Sequence, residues 1–207
     1  MKNTIKNVLI TAQKNEFEIN LAKIFMREGY KVFIAGENET TDENETADKI
    51  DLYIDVNDER NESDSFSIRE GLNEELIQTI YEANVLKSMK TLEKYLPLLD
   101  SGDGKRLCFL SSAEASINET RDTKGYAYKM SKAAMHMFIQ MASNKLTPTG
   151  YTWRIYDPMC GKVNTEASAE AAFNYFTRKR GSERDDPLRN DENRLVFRDA
   201  LGREHTW

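Results

Sequence analysis

The 207-residue chain is 39% apolar, which suits one α/β domain with a single core, or at most a domain with a small appendage. A formal charge of −6, with 31% of residues ionisable and no basic stripe, excludes nucleic acid and anionic membranes as default partners. No apolar run approaches a bilayer span and no signal-peptide cleavage pattern follows the start, so a cytoplasmic protein with no membrane partner is expected.

Residues 8–11 read as a short buried strand. A helix over 15–28 follows, with Phe17, Leu21, Ile24 and Phe25 at helical spacing and Gly29 where a C-terminal cap belongs. Residues 31–36, KVFIAG, form a second strand, and a strand, helix, strand unit within one sheet is parallel and right-handed. Residues 37–50 carry almost no apolar side chains and read as a polar crossover loop; 51–56, DLYIDV, is the third strand and 57–71 a second polar loop. From 72 to 99 a stripe of Leu76, Ile77, Ile80, Tyr81, Leu92 and Leu96 predicts a long helix, with Asn84 on its buried side. A buried asparagine needs partners, so it either ties down backbone or serves a site. Residues 106–111 form a strand ending in a serine pair, 128–146 a helix, 152–156 a strand and 166–179 a helix. A charged loop over 181–194 precedes a last short strand over 195–198. Strands and helices alternating throughout imply a doubly wound parallel sheet, Rossmann-like, in a single domain over 1–207.

Ligands of such sheets bind beyond the carboxyl ends of the strands, near the switch point. The polar residues there are 11–15, 36–37, 56–58, Ser111, Ser112 and 157–165. Tyr128 and Lys132 are four apart and share one helix face, where an ammonium favours phenolate and lowers the phenol pKa. The spacing alone is cheap, because Tyr175 and Lys179 repeat it without a serine-ended strand before them. Cys108 and Cys160 lie in no metal-ligand spacing and read as small apolar fillers; no metal site is expected. His136 is expected at the surface or an interface, and His205 shows no partner in the sequence.

Several segments resemble the short-chain dehydrogenase/reductase family, in its C-factor-like branch. VLITAQKNEFEINLAKIFMREGYKVFIAG resembles the family's opening. FLSSAEASI and YAYKMSKAAM resemble its catalytic serine and Tyr-x-x-x-Lys segments, with Ser112 sixteen residues before Tyr128. EANVLKSMKTLEKYLPLL resembles the helix carrying its catalytic asparagine, GKVNT its nicotinamide-side loop, and FRDALGREHTW its C-terminal end. The resemblance implies a nicotinamide cofactor and hydride exchange with a small alcohol or carbonyl substrate. Tyr128 would give or take the hydroxyl proton, and Lys132 would depress its pKa and hold the ribose. Ser112 would bond the carbonyl oxygen, and Asn84 would keep a proton-relay water through local backbone distortion. Thr11, Gln13, Lys14, Asn15, Glu37, Val163 and Thr165 would meet the cofactor. A homodimer or homotetramer pairing through the long helices is also implied, with Met130, Met135, Met137 and Met141 as adaptable contacts.

The chain departs from the family in the cofactor half. All three glycines of the family's phosphate loop are replaced in TAQKNEFE, and a carboxylate there, Glu16 or Glu18, caps the helix where a phosphate would bind. Asp55, Val56, Asn57 and Asp58 replace the Asn-Asn-Ala-Gly after the next strand, adding carboxylates near the expected adenosine ribose. The polar segment 37–50 stands for a missing outer strand-helix unit, and Glu37 suits ribose hydroxyls, favouring NAD over NADP. Two readings remain: an oxidoreductase of this family, or a cofactor-poor Rossmann protein acting as a binding or assembly module.

Overall fold

The computed structural model describes residues 7–12, 15–35, 47–65, 69, 71–121, 123–178, 191 and 194–207. Most of 37–50 and 181–194 therefore lies outside the described residues. Six strands form one parallel sheet: β1 (Asn7–Ile10), β2 (Lys31–Ile34), β3 (Leu52–Asp55), β4 (Arg106–Leu110), β5 (Thr152–Asp157) and β6 (Phe197–Asp199), in the order β2-β1-β3-β4-β5-β6. Among the described residues β2 is an edge strand.

The strands are short apolar runs because both faces of the sheet are covered. Val8, Ile10, Leu52, Ile54, Cys108 and Leu110 face one core layer, against α1 (Glu16–Arg27) and α5 (Thr165–Thr177). The alternate residues Leu9, Tyr53, Leu107, Phe109, Trp153 and Ile155 face the other, which packs under α3 (Lys87–Asp100) and α4 (Tyr126–Leu146). The long helix expected over 72–99 is α2 (Glu74–Tyr81) running through a π-helical turn (Glu82–Leu86) into α3. No helix among the described residues is long and apolar enough to cross a membrane.

Three expectations are corrected. His136 is buried, because α4 presses it on the sheet: Ser111 Oγ lies 2.5 Å from its Nε2, and Phe197 and Trp207 pack edge-on against its ring. His205 has two partners, Glu119 and Asp199, brought together by the turn after β6. Cys160 is exposed rather than a filler, since its loop stands outside the sheet; Cys108 is buried as expected. Tyr175 belongs to the core, with Tyr156 and Phe176 beside its ring, and Lys179 lies outside the described residues.

Candidate active site

Strand order reverses direction between β1 and β3, so the cleft beyond the carboxyl ends of β1, β3, β4 and β5 is where a ligand belongs. The start of α4 frames one side of it. Gly125 caps this helix with φ 65° and has no side chain to offer. Asp64, from the loop after β3, supplies the missing acceptor: its two carboxylate oxygens take the N–H groups of Ala127 at 3.2 Å and Tyr128 at 3.0 Å. Asn84 holds the same loop from the other side. Its Oδ1 accepts from Glu59 N at 2.7 Å, and its Nδ2 donates to Glu59 O at 2.9 Å and Ser131 Oγ at 3.0 Å. The loop is thus stitched across the first turns of α4.

That stitching delivers Asp58 and Arg60 to the two residues marked by the sequence. The Tyr128 hydroxyl donates to Asp58 Oδ1 at 2.6 Å, and Lys132 Nζ lies 3.1 Å from the same oxygen. Lys132 also donates to Asn57 O at 2.7 Å and Leu110 O at 3.3 Å, so its ammonium is bonded to the ends of β3 and β4. Arg60 lies over the Tyr128 ring, 3.8 Å from its centroid, donates to the phenol oxygen at 2.5 Å, and reaches Glu114 at 3.2 Å. Four charged groups, from the loop after β3, the turn after β4 and α4, converge on one phenol.

The expected lowering of the Tyr128 pKa is overturned. Burial pushes the phenol well above its ordinary value, and the Asp58 carboxylate adds to the rise, outweighing Arg60. Lys132 has a nearer partner in that carboxylate, and its Nζ stands 5.9 Å from the ring centroid. Burial raises Asp58 too, but Lys132 and Arg60 outweigh it and hold its carboxyl below the usual range. Asp58 was expected near the adenosine ribose; the loop path carries it to Tyr128 instead.

The other marked residues divide. Ser112 is buried at the end of β4, where its hydroxyl accepts from Glu114 N at 3.2 Å and caps a 3-10 turn (Ala113–Ala115). Its link to Tyr128 runs through Glu114 and Arg60. Asn84 sits inside the π-helical turn, so backbone distortion does occur there, and its carbonyl accepts from Ser88 Oγ at 3.1 Å. Thr11 Oγ accepts from Val56 N at 3.0 Å, tying β1 to β3. Asn15 and Glu18 form a reciprocal capping box on α1, so the carboxylate expected at that helix start is Glu18. Val163 and Thr165 line a cleft of about 720 Å³ together with Glu16, Asn20 and Lys23, between the first turns of α1 and α5. Gln13, Lys14 and Glu37 lie outside the described residues.

Sequence reasoning passed over Arg60, Asp64 and Glu114. Asp64 lies more than sixty residues from the helix it caps, a pairing that no local pattern encodes. Glu114, two residues after Ser112, was within reach of a local argument.

No protein-family model matches the chain. It is 30% identical to C-signal of Myxococcus xanthus over 128 residues, 61% of this chain and 76% of that protein. It is 34% identical over 86 residues to an uncharacterized oxidoreductase of Saccharomyces cerevisiae, YKL071W, spanning 42% of this chain and a third of that protein (33%). Its fold is similar to that of a carbonyl reductase from Pseudomonas aeruginosa PAO1 solved in complex with NADP. The TM-score is 0.73 with 16% identity, and the match covers 98% of this chain and 100% of the other.

Proposed function

Because the chain belongs to the short-chain dehydrogenase/reductase family, we propose that it is an oxidoreductase exchanging hydride between a nicotinamide cofactor and a small alcohol or carbonyl compound. The observation that carries this reading is the meeting of Tyr128 and Lys132, one turn apart on α4, at the ends of β3 and β4. Tyr128 exchanges the hydroxyl proton with the substrate oxygen, Ser112 bonds that oxygen, and Lys132 supplies the fixed positive charge beside them. Asn84 keeps the Glu59 backbone, and with it the loop over Tyr128, in place.

The donor set fits the nicotinamide half of the cofactor. The cleft between α1 and α5 has room for it, with Val163 and Thr165 on its wall. The bound nicotinamide supplies the hydride chemistry. At α1 the fit is poorer: Glu18 already satisfies the helix start, and a phosphate brought there meets its carboxylate. This is the observation that favours the second reading, a cofactor-poor binding or assembly module. NAD in preference to NADP, action in the cytoplasm and a homodimer built on the long helices complete the proposal.

A thermal-shift titration with NAD, NADH, NADP and NADPH tests it, since a ligand at a hundred times its dissociation constant stabilises by about 2.7 kcal/mol. A shift is expected with NAD and NADH. Tyr128→Phe should leave that shift intact while lowering turnover by roughly two to four orders of magnitude. Absence of any shift at millimolar cofactor rejects the oxidoreductase and leaves the binding module.

A further inference from the structure

Tyr128 has one proton, and in this structure that proton points at a carboxylate. The hydroxyl donates to Asp58 Oδ1 at 2.6 Å, and its oxygen accepts from Arg60 Nη2 at 2.5 Å, leaving one lone pair for a ligand hydroxyl. The same Asp58 oxygen is 3.1 Å from Lys132 Nζ, while Asp58 Oδ2 faces Arg60 Nε at 3.4 Å. Both oxygens are therefore fixed. The Asp58 side chain keeps 21% of its surface exposed and Arg60 46%, whereas Lys132 keeps 1%, so solvent reaches the cluster past Asp58 and Arg60 and not past the lysine.

We propose that Asp58 is the proton partner of Tyr128, the residue through which the tyrosine exchanges its proton with solvent. The inference rests on the oxidoreductase reading and specifies its acid-base chemistry. When an alcohol is oxidised, its O–H bond breaks as the proton passes to the Tyr128 oxygen, and the Tyr128 O–H bond breaks as its proton passes to Asp58 Oδ1. Asp58 becomes the neutral acid and releases the proton to water, and a nicotinamide held beside Lys132 would be the acceptor of the hydride with its electron pair. Carbonyl reduction runs the same sequence backwards. Arg60, on the phenol oxygen, offsets negative charge as the two transfers overlap, and Glu114 holds Arg60 there. Tyr128 never stands as a free phenolate in this scheme.

The groups facing Tyr128 are Asp58 and Arg60 from the loop after β3, Glu114 from the turn after β4, and Lys132 from α4 itself. Cys160, in the loop after β5, is close enough for Asp58 and Arg60 to act on its thiol. Asp58 alone among them both accepts the Tyr128 proton and opens to water. It acts through Tyr128, so its role is separable from a purely structural one by pH.

Asp58→Asn keeps the size and a hydrogen-bond acceptor but cannot take the proton. Two measurements on the full chain decide. In the first, alcohol oxidation by the wild type is expected to hold level through neutral pH. The Asp58→Asn rate is expected to fall at least tenfold at neutral pH and to climb in proportion to hydroxide, because Tyr128 must then lose its own proton. Asp58→Glu, which restores a carboxylate, should flatten the profile again. An unchanged profile, or a faster enzyme with tighter cofactor binding, overturns the proposal by making Asp58 a bystander or an obstruction. In the second, ultraviolet difference absorbance follows Tyr128 ionisation without cofactor, with Tyr128→Phe as the blank. The midpoint should drop in Asp58→Asn, where Arg60 and Lys132 remain, and a midpoint that stays put overturns the proposal. A wild type inactive with every nicotinamide rejects the oxidoreductase reading, while the absorbance result still decides for or against the Asp58 and Tyr128 proton pair.

Discussion

Two histidines set opposite limbs of the pH dependence of stability. Burial pushes His136 down to about 4, and Lys132 adds to the effect. Its folded value thus lies below its unfolded one, and between pH ~6.5 and ~4 the unfolded chain binds a proton that the native state refuses. Stability falls as pH drops through that window, by roughly 3 kcal/mol from this residue. Burial also lowers His205, but its bonds to Glu119 and Asp199 outweigh it and raise the folded value. Its contribution is complete below pH ~6.5 and is lost as pH rises through the folded pKa. Urea melts across pH should therefore peak near pH ~6.5. His136→Gln should flatten the limb between pH ~6.5 and ~4, leaving the losses at lower pH from the paired carboxylates Asp58, Asp191 and Asp199, and His205→Gln should remove the alkaline one; a limb that survives in the His136 window of His136→Gln would show that His136 is not its source.

At the scale of elements, α1 and the helix running through the π-helical turn each show a polar residue converted to local architecture. Asn15 and Glu18 close the first turn of α1 on itself, which satisfies donors that a phosphate loop leaves for its ligand. Glu18→Gln keeps the box, because glutamine serves at that position, but removes the charge. Its folding stability is expected to stay within about 0.5 kcal/mol of the wild type, a smaller effect than loss of a whole cap. Affinity for NADH, by calorimetric titration, should rise about tenfold as the repulsion is removed. Unaltered affinity would place the pyrophosphate elsewhere. In the second helix, Asn84 sits in the widened turn and spends its amide on Glu59 and Ser131, so the residue resembling a catalytic asparagine holds the Asp58 loop. The helix periods, the strand alternation and the serine-ended strand were legible because each is local. The loop after β3 was not, since its path is fixed by Asp64 and Asn84 from distant parts of the chain.

Over the whole molecule, several apolar side chains are left outside both core layers. Met130, Met137 and Met141 on α4 are 56%, 63% and 65% exposed and share one helix face, while Met135 packs into the core. The homodimer proposed above uses that face. Met137→Asp should convert it to monomer in sedimentation with an unchanged circular dichroism spectrum; a dimer that persists would exclude α4 as the interface.

The sequence by itself determined the layered parallel sheet, its six-strand extent, the helix carrying Tyr128 and Lys132, and the self-capped start of α1. Apolar period and capping chemistry act over a few residues, so they are written where they operate. Only the tertiary structure decided what surrounds Tyr128. Asp58 and Arg60 are seventy and sixty-eight residues before it in the chain, and burial together with the Asp58 carboxylate, against the pull of Arg60, inverts the pKa shift that the neighbouring Lys132 alone implied. A pKa is set by burial and by the nearest charge in space, and neither is ordered by position along the chain.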